Sequence, residues 1–212
     1  MKQQTLRSLF SECIYRHYRE NELGVSWDIE RRGTELRIFF QASNGTRDWI
    51  HNLTAHAAPY TDMQPPWQCH AGFLKCWESV RPILADAIAE KSVESILTVG
   101  YSHGAALALL CHEYAFFHRP TLRDRIVGIG FGCPRVLYGC VPPDVASRWK
   151  HFYVIRNGDD LVTHLPPRAL GYCHVGSLVE IGEKGAHSAL DDHRPTRYLE
   201  SLRKPPSIHA KP

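Results

Sequence analysis

No stretch of this 212-residue chain is apolar for long enough to cross a bilayer, a span that takes about 20 residues of helix. An integral membrane segment is therefore not expected. No apolar core of signal-peptide length follows Met1 to Arg7, so the expected location is cytoplasmic. Charge of one sign is scarce as well. The formal net charge is +3, and no Lys/Arg cluster offers a footprint for nucleic acid. The seven cysteines are an odd number without a C-x-x-C pair, which excludes a disulfide framework and points to reduced, mostly buried thiols. Thirteen histidines supply no metal spacing. His112-Glu113 opens like a zinc-binding helix, but Phe116 stands where the second ligand belongs. Cys69-His70 and Cys173-His174 have no partner pair at ligand spacing. Internal repeats and low-complexity linkers are also missing.

What is present is a globular composition, 43% hydrophobic and 22% charged, enough for one full core. One domain is expected over residues 1–203, with a loose proline-bearing tail over 204–212. Leu6, Phe10, Cys13, Ile14 and His17 share a helical face within residues 5–20. Val25–Arg31 and Glu35–Phe40 read as a hairpin turning at Arg32-Gly33-Thr34. From Gly72 a long helix turns Phe73, Cys76, Trp77, Val80, Ile83, Leu84 and Ile88 inward. Apolar strands follow, ending before Ser102 and spanning Arg125–Phe131, His151–Ile155 and Gly176–Ile181. A helix to about His118 lies between the first two, and Pro195 opens the last helix. Strands alternating with helices imply an α/β fold, a sheet with helices on both faces. Gly128-x-Gly130-x-Gly132 is half of a nucleotide loop, but Cys133-Pro134 follows it instead of a helix. Close packing is the expected use of those glycines.

Gly100-Tyr101-Ser102-His103-Gly104 is a G-x-S-x-G sequence between a strand and a helix. That context suits a nucleophile elbow, where a serine stands alone on a sharp turn. A serine nucleophile needs a base, and the base needs an orienting carboxylate. Asp159-Asp160 ends a strand, and His193 lies in a loop feeding the last helix. Asp159 and His187 are the rival acid and base.

With these residues in order, most of residues 36–202 resembles the fungal-type, or class 3, lipase family. The matching segments are Phe40-Gln41-Ala42-Ser43 with Asp48-Trp49 and Asn52-Leu53, His70-Ala71-Gly72-Phe73, and the elbow. Phe131 to Val136, Asp160 to Pro167 with Tyr172-Cys173-His174, and Asp192-His193 with Tyr198 and Leu202 complete them. The resemblance implies an α/β-hydrolase-like, mostly parallel sheet with helices on both faces. It implies Ser102 as nucleophile, Asp160 as acid and His193 as base. It also implies an oxyanion hole from the N–H groups of Ser43 and His103, with the Ser43 hydroxyl as a further donor. His174 is expected to hold the acid loop and His70 to fix its helix start, and Trp67 either lines the acyl site or packs. The chain departs from the family at Gln41-Ala42 for Arg-Gly, Tyr101 for His, His103 for Leu and Thr163 for Pro. The implied activity is hydrolysis of acyl esters or lipids without metal or organic cofactor. The alternatives are phospholipase A1, thioesterase or acyltransferase chemistry, or acyl binding alone. Leu53 to Gln68 corresponds to the family's lid region and lacks a strongly amphipathic helix, so a soluble or short-chain ester is expected.

Overall fold

The computed structural model describes residues 3–41, 56–62, 67–139, 141 and 143–203. The hairpin comes first, as β2 (Ser26–Arg32) and β3 (Glu35–Gln41), turning at Gly33 with φ +61°. A two-residue β1 (Arg19–Glu20) borders β2. Then β6 (Ser95–Tyr101), β7 (Ile126–Phe131), β9 (Phe152–Asn157) and β11 (Ser177–Ile181) join in the order β1-β2-β3-β6-β7-β9-β11. From β3 to β11 every pairing is parallel, whereas β1-β2 and β2-β3 are antiparallel. Parallel strands need covered faces, and β3 and β6 are buried nearly end to end.

Two separate cores do the covering. On one face lie α2 (Ala71–Ala89) and α3 (His103–His118), with Trp77, Leu84, Leu107 and Phe152 at 0% exposure. On the other, α1 (Gln3–Tyr15) and α6 (Pro195–Ser201), which follows the short α4 (Pro143–Ala146) and α5 (Ala189–Asp192), bring Phe10 and Tyr198 against Phe39, Val99, Phe131 and Ile155. Each such aromatic contributes roughly 1.5–3 kcal/mol by burial.

The first helix stops at Tyr15 rather than continuing toward residue 20. Tyr18 Oη donates to the Cys13 carbonyl at 2.6 Å, and Arg16 bonds Asp28 and Glu30 of β2 at 2.7 and 2.5 Å. These bonds turn the chain into β1 and take His17 off the helix. On α2 the buried stripe is rotated from the expected one. Leu74 is buried at 6% exposure, Cys76 is half-buried and Ile83 is 47% exposed. A second sheet of short antiparallel strands, in the order β10-β8-β5-β4, was not anticipated. It comprises β4 (Ala57–Tyr60), β5 (Trp67–His70), β8 (Leu137–Tyr138) and β10 (Tyr172–Cys173). Strands of two to four residues leave too little alternation to read.

Gly128 packs as expected: an added Cβ would sit 2.2 Å from the Phe152 ring. Among the described residues, no helix is long and apolar enough to cross a membrane.

Candidate active site

Ser102 has φ 57° and ψ −125°, the one positive φ among the described non-glycine residues. Such a conformation costs on the order of 1–3 kcal/mol and persists only where its surroundings enforce it. Here the enforcement is steric. A Cβ on Gly100 would lie 2.1 Å from the Gly104 carbonyl oxygen, and one on Gly104 would lie 2.4 Å from that of Phe40. The Ser102 N–H donates to the Phe131 carbonyl at 2.9 Å, anchoring the turn to β7. Ser102 precedes α3 without capping it, so its hydroxyl is free to turn elsewhere.

That hydroxyl meets His193. Nε2 of His193 lies 2.8 Å from Ser102 Oγ, and Nδ1 lies 2.9 and 2.8 Å from the two Asp160 oxygens. A carboxylate at Nδ1 keeps the proton there, which leaves Nε2 to accept from the serine. Asp160 is fully buried, and its oxygens are well supplied. Oδ1 accepts from the Val162 N–H at 2.9 Å, and Oδ2 accepts from Tyr198 Oη at 2.6 Å. Burial, then the Asp160 charge, hold the Tyr198 phenol well above its ordinary pKa, so it stays a donor.

The rivals fall elsewhere. Asp159 Oδ2 accepts from the Gly185 N–H at 2.7 Å, and His187 is exposed. Instead, Asp159 ties the loops together: its own N–H donates to Asp192 Oδ2 at 2.8 Å. Asn157 Nδ2 donates to the Asp192 carbonyl, also at 2.8 Å. The end of β9 is thus stitched to the residue preceding His193.

His174 and His70 lie where expected. His174 Nε2 is 2.7 Å from the Thr163 carbonyl, and Thr163 Oγ1 donates to the Asp160 carbonyl at 2.8 Å. Burial pushes the His174 pKa down to about 4, so the ring is neutral and donates. His70 caps α2 by accepting from the Gly72 N–H at 3.2 Å. Arg135 spans the same loop, donating to the His164 carbonyl and to that of Pro166. His103 opens α3 beside Ser102, its ring 5.6 Å from that of Phe73. Burial, then His70, bring its pKa to about 4, so its ring carries no charge. Trp67 is half-buried against the core. Ser43 lies outside the described residues. Among the described residues, no three His, Cys, Asp or Glu side chains converge to hold a metal.

Three contributors were not singled out from the sequence. In the sequence Tyr198 stands out only as part of the segment that resembles the family's histidine region, and Tyr101 only as a departure from the family pattern. Gly132 was read as packing, but it has φ +58° and faces the site. A Cβ there would lie 2.9 Å from His193 Cε1 and 3.0 Å from Asp160 Oδ2.

A mostly parallel sheet covered on both faces, with an elbow leading from β6 into α3, is the α/β-hydrolase architecture. Comparison narrows this to one family. The profile of the family Lipase (class 3) matches residues 37–170, and the chain belongs to that family. A lipase of Rhizomucor miehei is 27% identical over 164 residues, covering 75% of this chain and 44% of its own length. Secreted mono- and diacylglycerol lipase 1 of Fusarium solani is 27% identical over 159 residues, covering 71% and 44%. The chain thus spans less than half the length of these relatives. A solved triacylglycerol lipase, in which a serine protease triad forms the catalytic centre, superposes with TM-score 0.65 at 25% identity. That match covers 76% of this chain and 63% of the other.

Proposed function

We propose that the chain hydrolyses carboxylic esters of acyl chains by a covalent acyl-enzyme route, with Ser102 as nucleophile. The observation that carries this is the unbroken contact Ser102–His193–Asp160 at the crest of a strained elbow. His193 Nε2 takes the hydroxyl proton as Ser102 Oγ attacks the ester carbonyl. Asp160 holds the ring orientation and balances the imidazolium. The His103 N–H at the start of α3 and the N–H of Ser43 bind the oxyanion, each donor giving about 3 kcal/mol. His193 then protonates the departing alcohol. Water repeats the sequence on the acyl-enzyme, releasing the acid and restoring Ser102.

Acylglycerols are the proposed substrate class, supported by the lipase names of the relatives. Within that class, short to medium acyl chains are favoured. The described part of the segment 53–68 forms hairpin strands, and Tyr60 there is buried with its Oη donating to the Leu110 carbonyl at 3.1 Å. A surface-docking lid should instead present a wide apolar face. Strong activation at an oil–water interface would overturn that preference. Cytoplasmic residence is also retained as a proposal, supported by an odd number of scattered cysteines with no C-x-x-C pair.

The test is hydrolysis of p-nitrophenyl esters from acetate to palmitate by wild type and Ser102→Ala. The expected result is a peak at one chain length and a loss of about a millionfold in the variant. Activity that survives in Ser102→Ala would refute the nucleophile.

A further inference from the structure

Tyr101 is the last residue of β6 and is set opposite Phe131 by parallel pairing. Its ring lies 5.1 Å from the His193 ring at 19° between planes, a near-parallel stack. Its hydroxyl donates to the His193 backbone carbonyl. Phe10 of α1 packs against it in a T-shaped contact at 5.5 Å, and Tyr198 of α6 does the same at 5.9 Å. The Tyr101 ring is therefore clamped, and it grips His193 at two points, the imidazole face and the main chain. We infer that Tyr101 is a positioning residue that fixes the His193 ring and stabilises its cationic form. This rests on the proposed role of His193 as base.

The physical basis is the aromatic quadrupole, whose negative face attracts a cation within about 6 Å, more strongly when both are desolvated. Ser102 is fully buried and His193 is 9% exposed. The imidazolium formed when Ser102 yields its proton therefore rests on the Tyr101 face in a dry setting. The phenol remains a neutral donor, because burial, then Asp160, then Cys13 hold its pKa above the ordinary value. The remaining polar groups around the ring act elsewhere. Asp160 takes Nδ1 and Ser102 takes Nε2. Tyr198 bonds Asp160. On the His193 segment itself, Asp191 pairs with Arg194 and Arg197. Asp192 accepts from the Asp159 N–H. His164, beyond the Asp160 turn, is exposed and bears on Asp160 through charge alone. Among these groups only Tyr101 offers a ring face to the imidazole.

The test compares Tyr101→Phe with the same position carrying pentafluorophenylalanine, which keeps the shape and reverses the quadrupole. The readouts are kcat/KM against pH and, in a Ser102→Ala background, NMR titration of the His193 imidazole. Removing an attraction to the cation lowers the pH at which the imidazole loses its proton. The expected result is an acid limb about 0.4–1 pH unit lower in the fluorinated variant than in Tyr101→Phe. Its plateau kcat should also fall about threefold to tenfold, and the NMR titration should move in the same direction. A purely structural role would lower kcat and leave both titrations in place, and that result, or a shift upward, overturns the inference. If no ester is hydrolysed, the NMR titration still decides the Tyr101 question, and only the proposed activity fails.

Discussion

Gly132→Ala puts one methyl group against both His193 and Asp160. At φ +58° an alanine costs about 1–2 kcal/mol in backbone strain alone. The new Cβ would lie 2.9 Å from His193 Cε1, 3.0 Å from Asp160 Oδ2 and 3.1 Å from His193 Nδ1. Neither neighbour yields freely. Asp160 is fully buried and held by Val162 and Tyr198, and His193 is stacked on Tyr101. Overpacking of this kind adds about 1–3 kcal/mol. A total near 3 kcal/mol lowers Tm by about 6–12 °C in a chain this long. The rate effect is larger, because moving the imidazole by a few tenths of an ångström breaks its alignment with Ser102 Oγ. A loss of about 10- to 100-fold in kcat is expected, with KM nearly unchanged. The assay is ester hydrolysis well below the variant's Tm, alongside thermal unfolding. A variant with wild-type kcat would refute the claim that this glycine spaces the site, whatever its stability.

Asp160→Asn should lower kcat by about 10⁴-fold, because an amide stabilises the wrong imidazole tautomer, and a drop below tenfold in ester kinetics would refute the assignment. Glu113 on α3 is 1% exposed, and burial pushes its carboxyl up to about 7 against the pull of Arg148, whose Nη1 lies 3.3 Å from Oε1. The folded state therefore holds a proton that the unfolded chain releases near its ordinary 4.5. Stability should decline by roughly 3 kcal/mol as pH rises from 4.5 through 7. Urea unfolding of Glu113→Gln should lose that slope, and an unchanged slope would count against it. Leu74→Ala should cost about 2–5 kcal/mol, whereas Ile83→Lys should stay within about 0.5 kcal/mol. Equal costs in denaturant titration would show that the buried stripe of α2 is misplaced.

Much of the frame was legible because its signals are local. The apolar runs at β3, β6, β7 and β9 are long enough to mark buried strands, and the observed strands lie within a residue or two of them. The glycines around Ser102 announce a turn that admits no side chain. What escaped had no local mark. The second sheet is built from fragments of two to four residues, and beyond the β4-β5 hairpin its partners lie far along the chain, as Gln68 of β5 does from Tyr138 of β8. Ile83 and Leu74 flank the α2 stripe on opposite sides, and only the seating of α2 on the sheet decides which is covered. Gly132 carries the same letter as Gly128 and Gly130, but it faces side chains from two other segments.

By itself the sequence determined where the long strands and helices of the main sheet form, where the chain must turn sharply, and the order of Ser102, Asp160 and His193. It also determined membership of the class 3 lipase family. Only the tertiary structure decided that Asp160 rather than Asp159 faces His193, and that Tyr198 and Tyr101 brace the acid and the imidazole. Ser102 and His193 are 91 residues apart, and Asp160 and His193 are 33 apart. Periodicity and turn chemistry act over a few residues. Contacts at these separations depend on strand order and on how each loop closes over its strand end, which no local pattern encodes.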